Sequence, residues 1–207
     1  GDTIFDDAYG TTYDNQKDIV KSLLNYGAYA QQYFDYRTDV LPNSGDYFTE
    51  EERNGLVISG DERTNVINNN ALVLDRGAED KVKYYGSSLL LEDGTVIRHY
   101  FSLADSSVDV STLTVTIDGV SATVEKKGSL YYVDIKDVPA YSLDKKYTVC
   151  VDSMTIEYSC LSYVASALKT YTDENGACTN ASKQNLVNLA TSLYKYSNSA
   201  KSYANNK

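Results

Sequence analysis

The sequence has no tryptophan, one histidine, one methionine and two prolines among its 207 residues. With a single histidine, Ser-His-Asp catalysis could run only through His99. No apolar run approaches the roughly 20 residues that a membrane-spanning helix needs. The formal charge is −10, and no basic stripe interrupts the acidic residues, so phosphate backbones and anionic membranes would repel the chain. The sequence therefore predicts neither nucleic-acid binding nor membrane insertion.

Motifs that would carry catalysis or cofactors are also missing. The sequence has no nucleophile elbow, no glycine-rich phosphate loop, no dinucleotide fingerprint and no EF-hand. Its cysteines, Cys150, Cys160 and Cys178, lack the close ligand pairs typical of zinc sites. We therefore predict that the chain is not an enzyme, uses no cofactor and has no catalytic, cofactor-binding or metal-binding residues. Its ligand-binding residues are unknown, and calcium binding at acidic loops is left open.

The lone histidine lies in the stretch TVIRHYF, where it alternates with Ile97 and Phe101. Residues two apart on a strand share a face. A histidine on an apolar strand face is more often a core residue than a catalyst, so we predict that His99 faces the core.

Cysteine spacing also bears on disulfides. Cys150 and Cys160 fall at opposite ends of a predicted hairpin, too far apart for the roughly 4.4–6.8 Å between Cα atoms that a disulfide needs. A predicted helix of about twelve residues, roughly 18 Å long, separates Cys160 from Cys178. Of the three possible disulfides, Cys150–Cys178 alone remains possible, and it would require the helix after Cys160 to fold back over the sheet. The odd count favours three free thiols.

Tyrosine is unusually abundant, with 20 copies beside four phenylalanines. A tyrosine ring gives rigid contact area with one polar end, which suits half-exposed surfaces. Together with many Ser, Thr and Asn residues, this composition is typical of secreted bacterial modules. We expect an extracellular or cell-surface protein.

Apolar spacing predicts helices at both ends of the chain. Residues 14–36 form the first helix, with Asp14 as N-cap, and a helical turn is expected near 49–54. Two C-terminal helices occupy 159–204, the last one from about 182. On each of these helices, residues spaced alternately by four and three form one predicted packing face, called here the seam. The seam of the first helix matches that of the last at an offset of 170 residues. The first contains Ile19, Leu23, Tyr26, Ala30 and Tyr33, and the last contains Leu189, Leu193, Tyr196, Ala200 and Tyr203. These seams predict that both helices pack through their tyrosines, leaving Tyr29 and Tyr36 as the better surface candidates.

Between the helices the apolar period changes to two, which predicts a β-sandwich over 65–158. Turns are expected at Asp93-Gly94, Asp118-Gly119 and Lys127-Gly128. Strands are predicted at 65–75, 83–92, 95–103, 111–117, 120–126, 129–136, 146–151 and 154–158.

The stretch LDKKYTV (143–149) resembles the corner that enters a late strand in fibronectin type III and immunoglobulin-like domains, with Leu143 and Tyr147 at the matching positions. The predicted fold is α+β: an immunoglobulin/fibronectin-III-like antiparallel β-sandwich with an N-terminal helix and two C-terminal helices packed as a layer. We predict one domain over residues 1–207.

Three stretches carry a wider resemblance: LLNYGAYAQQYF near the start, YYGSSLLLEDGTVIRHYFSL (84–103) and LVNLATSLYKYSNSAKSYA (186–204). Together they resemble a domain of large, multi-domain secreted proteins of anaerobic Gram-positive gut bacteria. The resemblance implies an extracellular, non-catalytic module beside adhesive or glycan-degrading neighbours. The stretch ENGACTN (174–180) departs from the family as an insertion before the last helix.

The expected function is a non-catalytic binding or spacer module of a bacterial cell-surface or secreted protein, related to adhesion. Its partners would be an extracellular glycan or protein and the neighbouring domains of a longer chain. The alternative is a carbohydrate-binding module of a glycan-degrading enzyme, which would show exposed tyrosines in a row on one sheet face. A protein-adhesion module would show a larger mixed apolar patch. A glycoside hydrolase, which needs two carboxylates in a cleft, is a remote alternative.

Overall fold

The computed structural model describes residues 11–34, 57–92 and 94–206. Within these ranges the chain is α+β and contains two antiparallel sheets, which confirms that part of the prediction. The α-helices are α1 (Thr11–Tyr33), α2 (Gly60–Asn69), α3 (Cys160–Tyr171) and α4 (Gln184–Asn205). The strands are β1 (Val73–Asp75), β2 (Val82–Glu92), β3 (Gly94–Leu103), β4 (Val115–Ile117), β5 (Val120–Ser121), β6 (Glu125–Lys127), β7 (Leu130–Ile135), β8 (Tyr147–Val151) and β9 (Met154–Tyr158).

The chain divides into two compact units. The helical unit comprises residues 1–69, 140–142 and 164–207, and the sheet unit comprises 70–139 and 143–163. Helix α3 therefore starts in one unit and ends in the other. The single domain over 1–207 stays a prediction. No helix in the described ranges is both long and apolar enough to cross a membrane.

The sheet unit contains a five-stranded sheet in the order β1-β9-β8-β4-β5 and a four-stranded sheet in the order β2-β3-β7-β6. Alternate residues of both sheets point into a shared core, in which Ile97, Phe101, Val133, Val149 and Ile156 are fully buried. The ring of His99 on β3 meets the ring of Tyr158 on β9 edge to face, 5.2 Å between centroids. This contact between strands of different sheets sets them face to face.

The edge strands of these sheets are short or irregular. Strand β6 is Glu-Lys-Lys and fully exposed, and β1 and β5 contain three and two residues. The fourth edge strand, β2, is long, but its register with β3 shifts between Tyr84 and Gly86. Three of the four edges are therefore too short or too charged to offer a pairing site, whereas β2 keeps a regular stretch from residue 86 to residue 92.

Most predicted strands are confirmed to within two residues, and three are corrected. Residues 65–69 belong to α2, so only the end of the strand predicted at 65–75 forms, as β1. The strand predicted at 120–126 splits into β5 and β6, which lie in different sheets. Of the strand predicted at 111–117, only β4 forms, because Asp109 caps a 3₁₀ turn at Val110–Thr112. The turn at Asp118-Gly119 is confirmed, and both residues have positive φ as a type I′ hairpin turn requires.

Helix α2 was missed because period-two spacing around Val66 imitates a strand. Asp61 and Glu62 occupy its first turn, where the helix dipole favours acidic residues. Arg63 then fixes it to the C-terminal end of α3, donating from Nε to Thr172 Oγ1 at 2.9 Å and from Nη2 to the Leu168 carbonyl at 3.1 Å. These contacts outweigh the local strand pattern.

The ends of the predicted helices also shift. Helix α1 begins at Thr11, so the assignment of Asp14 as N-cap is wrong: it lies inside the helix. Residues 35–36 and the turn expected near 49–54 lie outside the described residues. Helix α4 agrees with the predicted last helix and follows a 3₁₀ turn at Ala181–Lys183, capped by Asn180.

Helices α1 and α4 pack against each other inside the helical unit. Tyr26 stacks on Tyr196 with ring centroids 5.6 Å apart and planes 12° from parallel. Beside them, the hydroxyls of Ser22 and Ser199 hydrogen-bond at 2.8 Å. The prediction that the two helices pack through seam tyrosines is therefore confirmed at Tyr26 and Tyr196.

The rest of the α1 seam is corrected. Leu23 is 46% exposed and Tyr33 39% exposed, whereas Ser22, Asn25 and Ala28 are buried. The buried stripe of α1 is thus rotated toward small side chains, which let two helices approach closely. On α4 the seam holds, because Leu189, Leu193 and Ala200 are buried.

The loop after α3 closes onto the segment before α2. The Gly60 amide donates to the Glu174 carbonyl at 2.9 Å. Gly176 has φ +77°, and a Cβ there would overlap Val57 Cγ1 and the Ile58 oxygen. The stretch 174–180 is therefore packed into the helical unit at a position that only glycine fits.

We predict that Gly176→Ala lowers the free energy of unfolding of the helical unit by about 2–4 kcal/mol, from positive φ plus overpacking. The measurement is denaturant unfolding followed by the helical circular dichroism signal. Gly60→Ala is the matched control, because Gly60 has φ +55° with open space around its Cβ position. Equal losses in the two variants would contradict the packing argument.

We predict that Ala200→Leu costs about 1–3 kcal/mol, because it overpacks the buried face of α4. Ala30→Leu should cost less, since Ala30 is only half-buried. Ala204→Leu, on the exposed end of the same helix, should leave the melting temperature unchanged. A neutral Ala200→Leu variant would show that the helix pair is loosely packed.

Candidate functional site

His99 was the one candidate for acid–base chemistry, and the structure places it in the core, as predicted, with 1% exposure. Its Nδ1 shares a 2.5 Å hydrogen bond with the hydroxyl of Ser87, directly opposite on β2. Ser87 in turn bonds the Tyr84 hydroxyl at 2.6 Å. The other ring nitrogen, Nε2, is buried without a hydrogen-bond partner among the described residues.

Burial controls the protonation of the hydrogen-bonded side chains Tyr84, Ser87 and His99. It lowers the pKa of His99 to about 4, only partly opposed by the negative charge of Asp134. It also raises the pKa of Tyr84 and of Tyr158. The histidine is therefore neutral at physiological pH and sealed from solvent, and the hydrogen bonds of Tyr84 and Ser87 satisfy its Nδ1 but leave its Nε2 without a partner among the described residues.

The tyrosines on the outer face of the four-stranded sheet form a structural cluster rather than an open row. Arg98 lies on Tyr132 with its guanidinium carbon 3.7 Å from the ring centre. Its Nε and Nη2 donate to the two oxygens of Asp134 at 2.7 and 2.9 Å, and this pairing raises the pKa of Arg98 still further above its usual range. Because the guanidinium covers the ring, Tyr132 is not available for stacking with a ligand.

The most exposed tyrosines lie on separate elements. Tyr85 sits at the irregularity of β2, and Tyr141 lies in a 3₁₀ turn of the helical unit. Tyr29, a predicted surface candidate, is half-buried, and Tyr36 lies outside the described residues. Val20 and Leu23 on α1 are exposed, as is Phe34, which directly follows this helix.

An open groove of about 330 Å³ lies at the end of the four-stranded sheet. Three segments form it: the end of β3 with the loop that follows, strand β6, and the turn into β7. Its lining residues are Ser102, Leu103, Asp105, Ser106, Lys126, Ser129 and Tyr131.

Tyr131 is the aromatic wall of this groove. It is paired with Phe101 across β7 and β3, and their rings stack at 6.0 Å with planes 23° apart. Phe101 is fully buried, so the core holds the groove's ring in place. On the other side of Tyr131, the Lys126 ammonium lies 5.6 Å from the ring centre.

Asp105 supplies the groove's carboxylate. Its Oδ1 accepts hydrogen bonds from the Ser107 amide, at 2.8 Å, and from the Ser107 hydroxyl. These bonds hold the pKa of Asp105 below its usual value, so it is ionised at neutral pH. The groove thus combines one fixed anion, one cation, serine hydroxyls and an aromatic ring.

Sequence reasoning missed the groove residues. The predicted turn at Lys127-Gly128 was the available signal, because it places Lys126 directly opposite Tyr131. Asp105 comes from a loop twenty residues earlier in the chain, and only the folded sheet brings it to the same place.

The three cysteines are free thiols, in line with the spacing argument. Cys160 is buried, and burial raises the pKa of its thiol to about 12. Cys178 donates to the Asn180 carbonyl at 3.1 Å. No group of three or more His, Cys, Asp or Glu side chains suited to a metal occurs in the part of the chain that the structure describes.

We predict that His99 titrates in the folded protein with a pKa near 4. In the unfolded chain the histidine takes up its proton near pH 6.5. Above that pH the buried histidine therefore does not reduce the free energy of unfolding. The free energy of unfolding then falls by about 3 kcal/mol as the pH drops toward 4. Because the chain has one histidine, a proton NMR titration reads this pKa without assignment. A His99→Gln variant should lose this part of the pH dependence, and a pKa near 6.5 would contradict the burial.

Comparisons of this chain with protein-family models, with curated proteins and with solved structures found no match. The resemblance to a secreted multi-domain family therefore stays a hypothesis based on the three sequence stretches.

Proposed function

We propose that this chain is a non-catalytic binding module of an extracellular or cell-surface bacterial protein, built on an immunoglobulin-like sandwich. The observation that carries the proposal is the groove formed by Asp105, Lys126 and Tyr131 at one end of the sandwich. It is a shallow, open depression lined mainly by polar side chains, and the buried ring of Phe101 supports its one aromatic residue from the core.

Strand order supports the immunoglobulin-like identity. The four-stranded sheet runs β2-β3-β7-β6, which by chain order corresponds to the A, B, E and D strands of that fold. In the second sheet β5-β4-β8-β9 corresponds to C′, C, F and G, with β1 added beside β9. Leu143 is fully buried, and Tyr147 begins β8, the position of the corner tyrosine in the F strand.

This correspondence also gives the groove a functional position. Its walls are the loop after β3, equivalent to the B–C loop, and the turn between β6 and β7, equivalent to the D–E turn. Antibody variable domains place a binding loop between strands B and C, at one end of their sandwich. The groove lies at that end, where loops can vary without changing the core.

The groove chemistry favours binding over hydrolysis. Of the described residues that line it, one, Asp105, is a carboxylate, whereas most glycosidases use two. The histidine that could assist a serine nucleophile is buried beneath the sheet. These observations support a binding role over the remote alternative of a glycoside hydrolase.

Protein adhesion is the second candidate. The exposed apolar side chains Val20 and Leu23 of α1 and Phe34 directly after it favour this function, since exposed apolar side chains that adjoin one another mark protein contacts. The cluster of Arg98, Tyr100 and Tyr132 gives less support to a binding row, because its charges are already paired.

The experiment uses the whole chain, tetramerised to raise avidity. We expect at least one reproducible hit on a glycan array or on mucin and matrix-protein surfaces, and no turnover of glycoside, ester or peptide substrates. Saturable turnover that survives repurification would overturn the non-catalytic assignment. Absence of any binding would favour a spacer that only separates neighbouring domains.

A further inference from the structure

We infer that the open edge of β2 is a dimerisation surface, on which a second copy of this chain pairs its own β2 antiparallel to the first. In the dimer, the two four-stranded sheets join through their β2 strands into one continuous sheet. The inference is independent of the proposed binding function and of the groove.

Strand β2 forms one end of the four-stranded sheet. It pairs with β3 on one side, and no described strand pairs with it on the other. Its ladder with β3 is regular from Gly86 to Glu92. The open side of this stretch, roughly 24 Å long, therefore presents an evenly spaced row of unpaired backbone N–H and C=O groups. Such a row is a template for another strand.

The stretch lacks the features that usually block pairing at a sheet edge. Charged side chains, proline and very short length protect such edges, but residues 86–91 contain neither a charge nor a proline. Leu89, Leu90 and Leu91 are half-buried. Because successive residues alternate between the two faces of a sheet, a second strand would cover leucine surface on both faces.

The other sheet edges leave β2 as the one regular partner for another β2. Strands β1 and β5 contain three and two residues, and β6 is Glu-Lys-Lys and fully exposed. Pairing between two copies therefore uses the same surface on each of them. Such a two-fold contact is closed, so it leaves no β2 edge for a third copy.

A second copy also supplies a strand that is already ordered. Its ladder with β3 fixes the extended backbone of β2 before the two copies meet. A flexible peptide would instead lose its conformational freedom on pairing, which reduces its affinity. The edge therefore favours a second copy of this chain over an unfolded segment.

Symmetry decides which residues meet. A two-fold axis perpendicular to the sheet keeps each face continuous, and pairing of every position from 86 to 92 centres this axis on Leu89. Leu89 then lies opposite its own counterpart, and Ser88 lies opposite Leu90 of the other copy. The one acidic position of the stretch, 92, lies opposite Gly86, so no like charges are opposed. A Cβ placed on Gly86 would have no atom within 4 Å, so that position has room.

The dimer should be weak. A contact roughly 24 Å long and one strand wide covers less than the roughly 800 Å² per partner of a standard interface. Each copy also has a formal charge of −10. We expect a Kd between about 10 μM and 1 mM. Association should be tighter in about 0.5 M salt than in about 0.05 M salt, because salt screens the repulsion between copies.

Sedimentation equilibrium of the whole chain tests this pairing. The molar mass should rise with concentration from one chain toward two and no further. The double variants Ser88→Lys with Leu90→Lys and Ser88→Glu with Leu90→Glu each place like charges opposite one another at two positions. Each should weaken self-association at least about tenfold, and an equimolar mixture of the two should restore it. Melting curves check that both variants are folded.

Disulfide trapping tests the register. The background carries Cys150→Ser and Cys178→Ser, which leaves Cys160, a buried thiol. Leu89→Cys should then form a covalent dimer on mild oxidation, because directly opposite residues meet the roughly 4.4–6.8 Å between Cα atoms that a disulfide needs. Leu90→Cys is the matched control, since its counterpart lies on the diagonal, about 7–8 Å away.

A chain that stays monomeric at about 1 mM would overturn the inference. Growth beyond two copies would also contradict it, as would a dimer that both double variants retain or equal cross-linking from positions 89 and 90. These outcomes leave the proposed binding function intact, because glycan and protein capture is measured separately.

Discussion

The inner face of β3 buries Ile97, His99 and Phe101 between the two sheets, and the sheet unit depends on this burial. Each apolar side chain contributes about 1.5–3 kcal/mol when it leaves water. His99 joins them only as a neutral ring whose Nδ1 is bonded to Ser87. The same strand therefore sets the spacing of the sheets and the position of the ring behind the groove.

The core and the groove are coupled through one pair of rings. Phe101 is the last fully buried residue of β3, and Tyr131 stacks on it where the sandwich opens to solvent. Apolar core packing thus continues to the wall of the open groove within a single cross-strand pair. Lys126, one strand further along, adds charge at the exposed margin.

Local patterns predicted the strands well because period two is unambiguous where one face is buried, as at Ile97, His99 and Phe101. They failed where long-range contacts decide the outcome. Helix α2 depends on Arg63 reaching α3, and the buried stripe of α1 depends on how closely α4 approaches Ser22. The groove could not be predicted, because Asp105 and Lys126 become neighbours only after the sheet forms.

The edges of the two sheets bear on how such a unit would behave beside other copies of itself. Three edge strands are very short, one of them fully charged, and the fourth is interrupted by an irregularity at Tyr84 and Gly86. Strand pairing between neighbouring copies would therefore be confined to the regular stretch of β2 from residue 86 to residue 92, because the other three edges are too short or too charged for it.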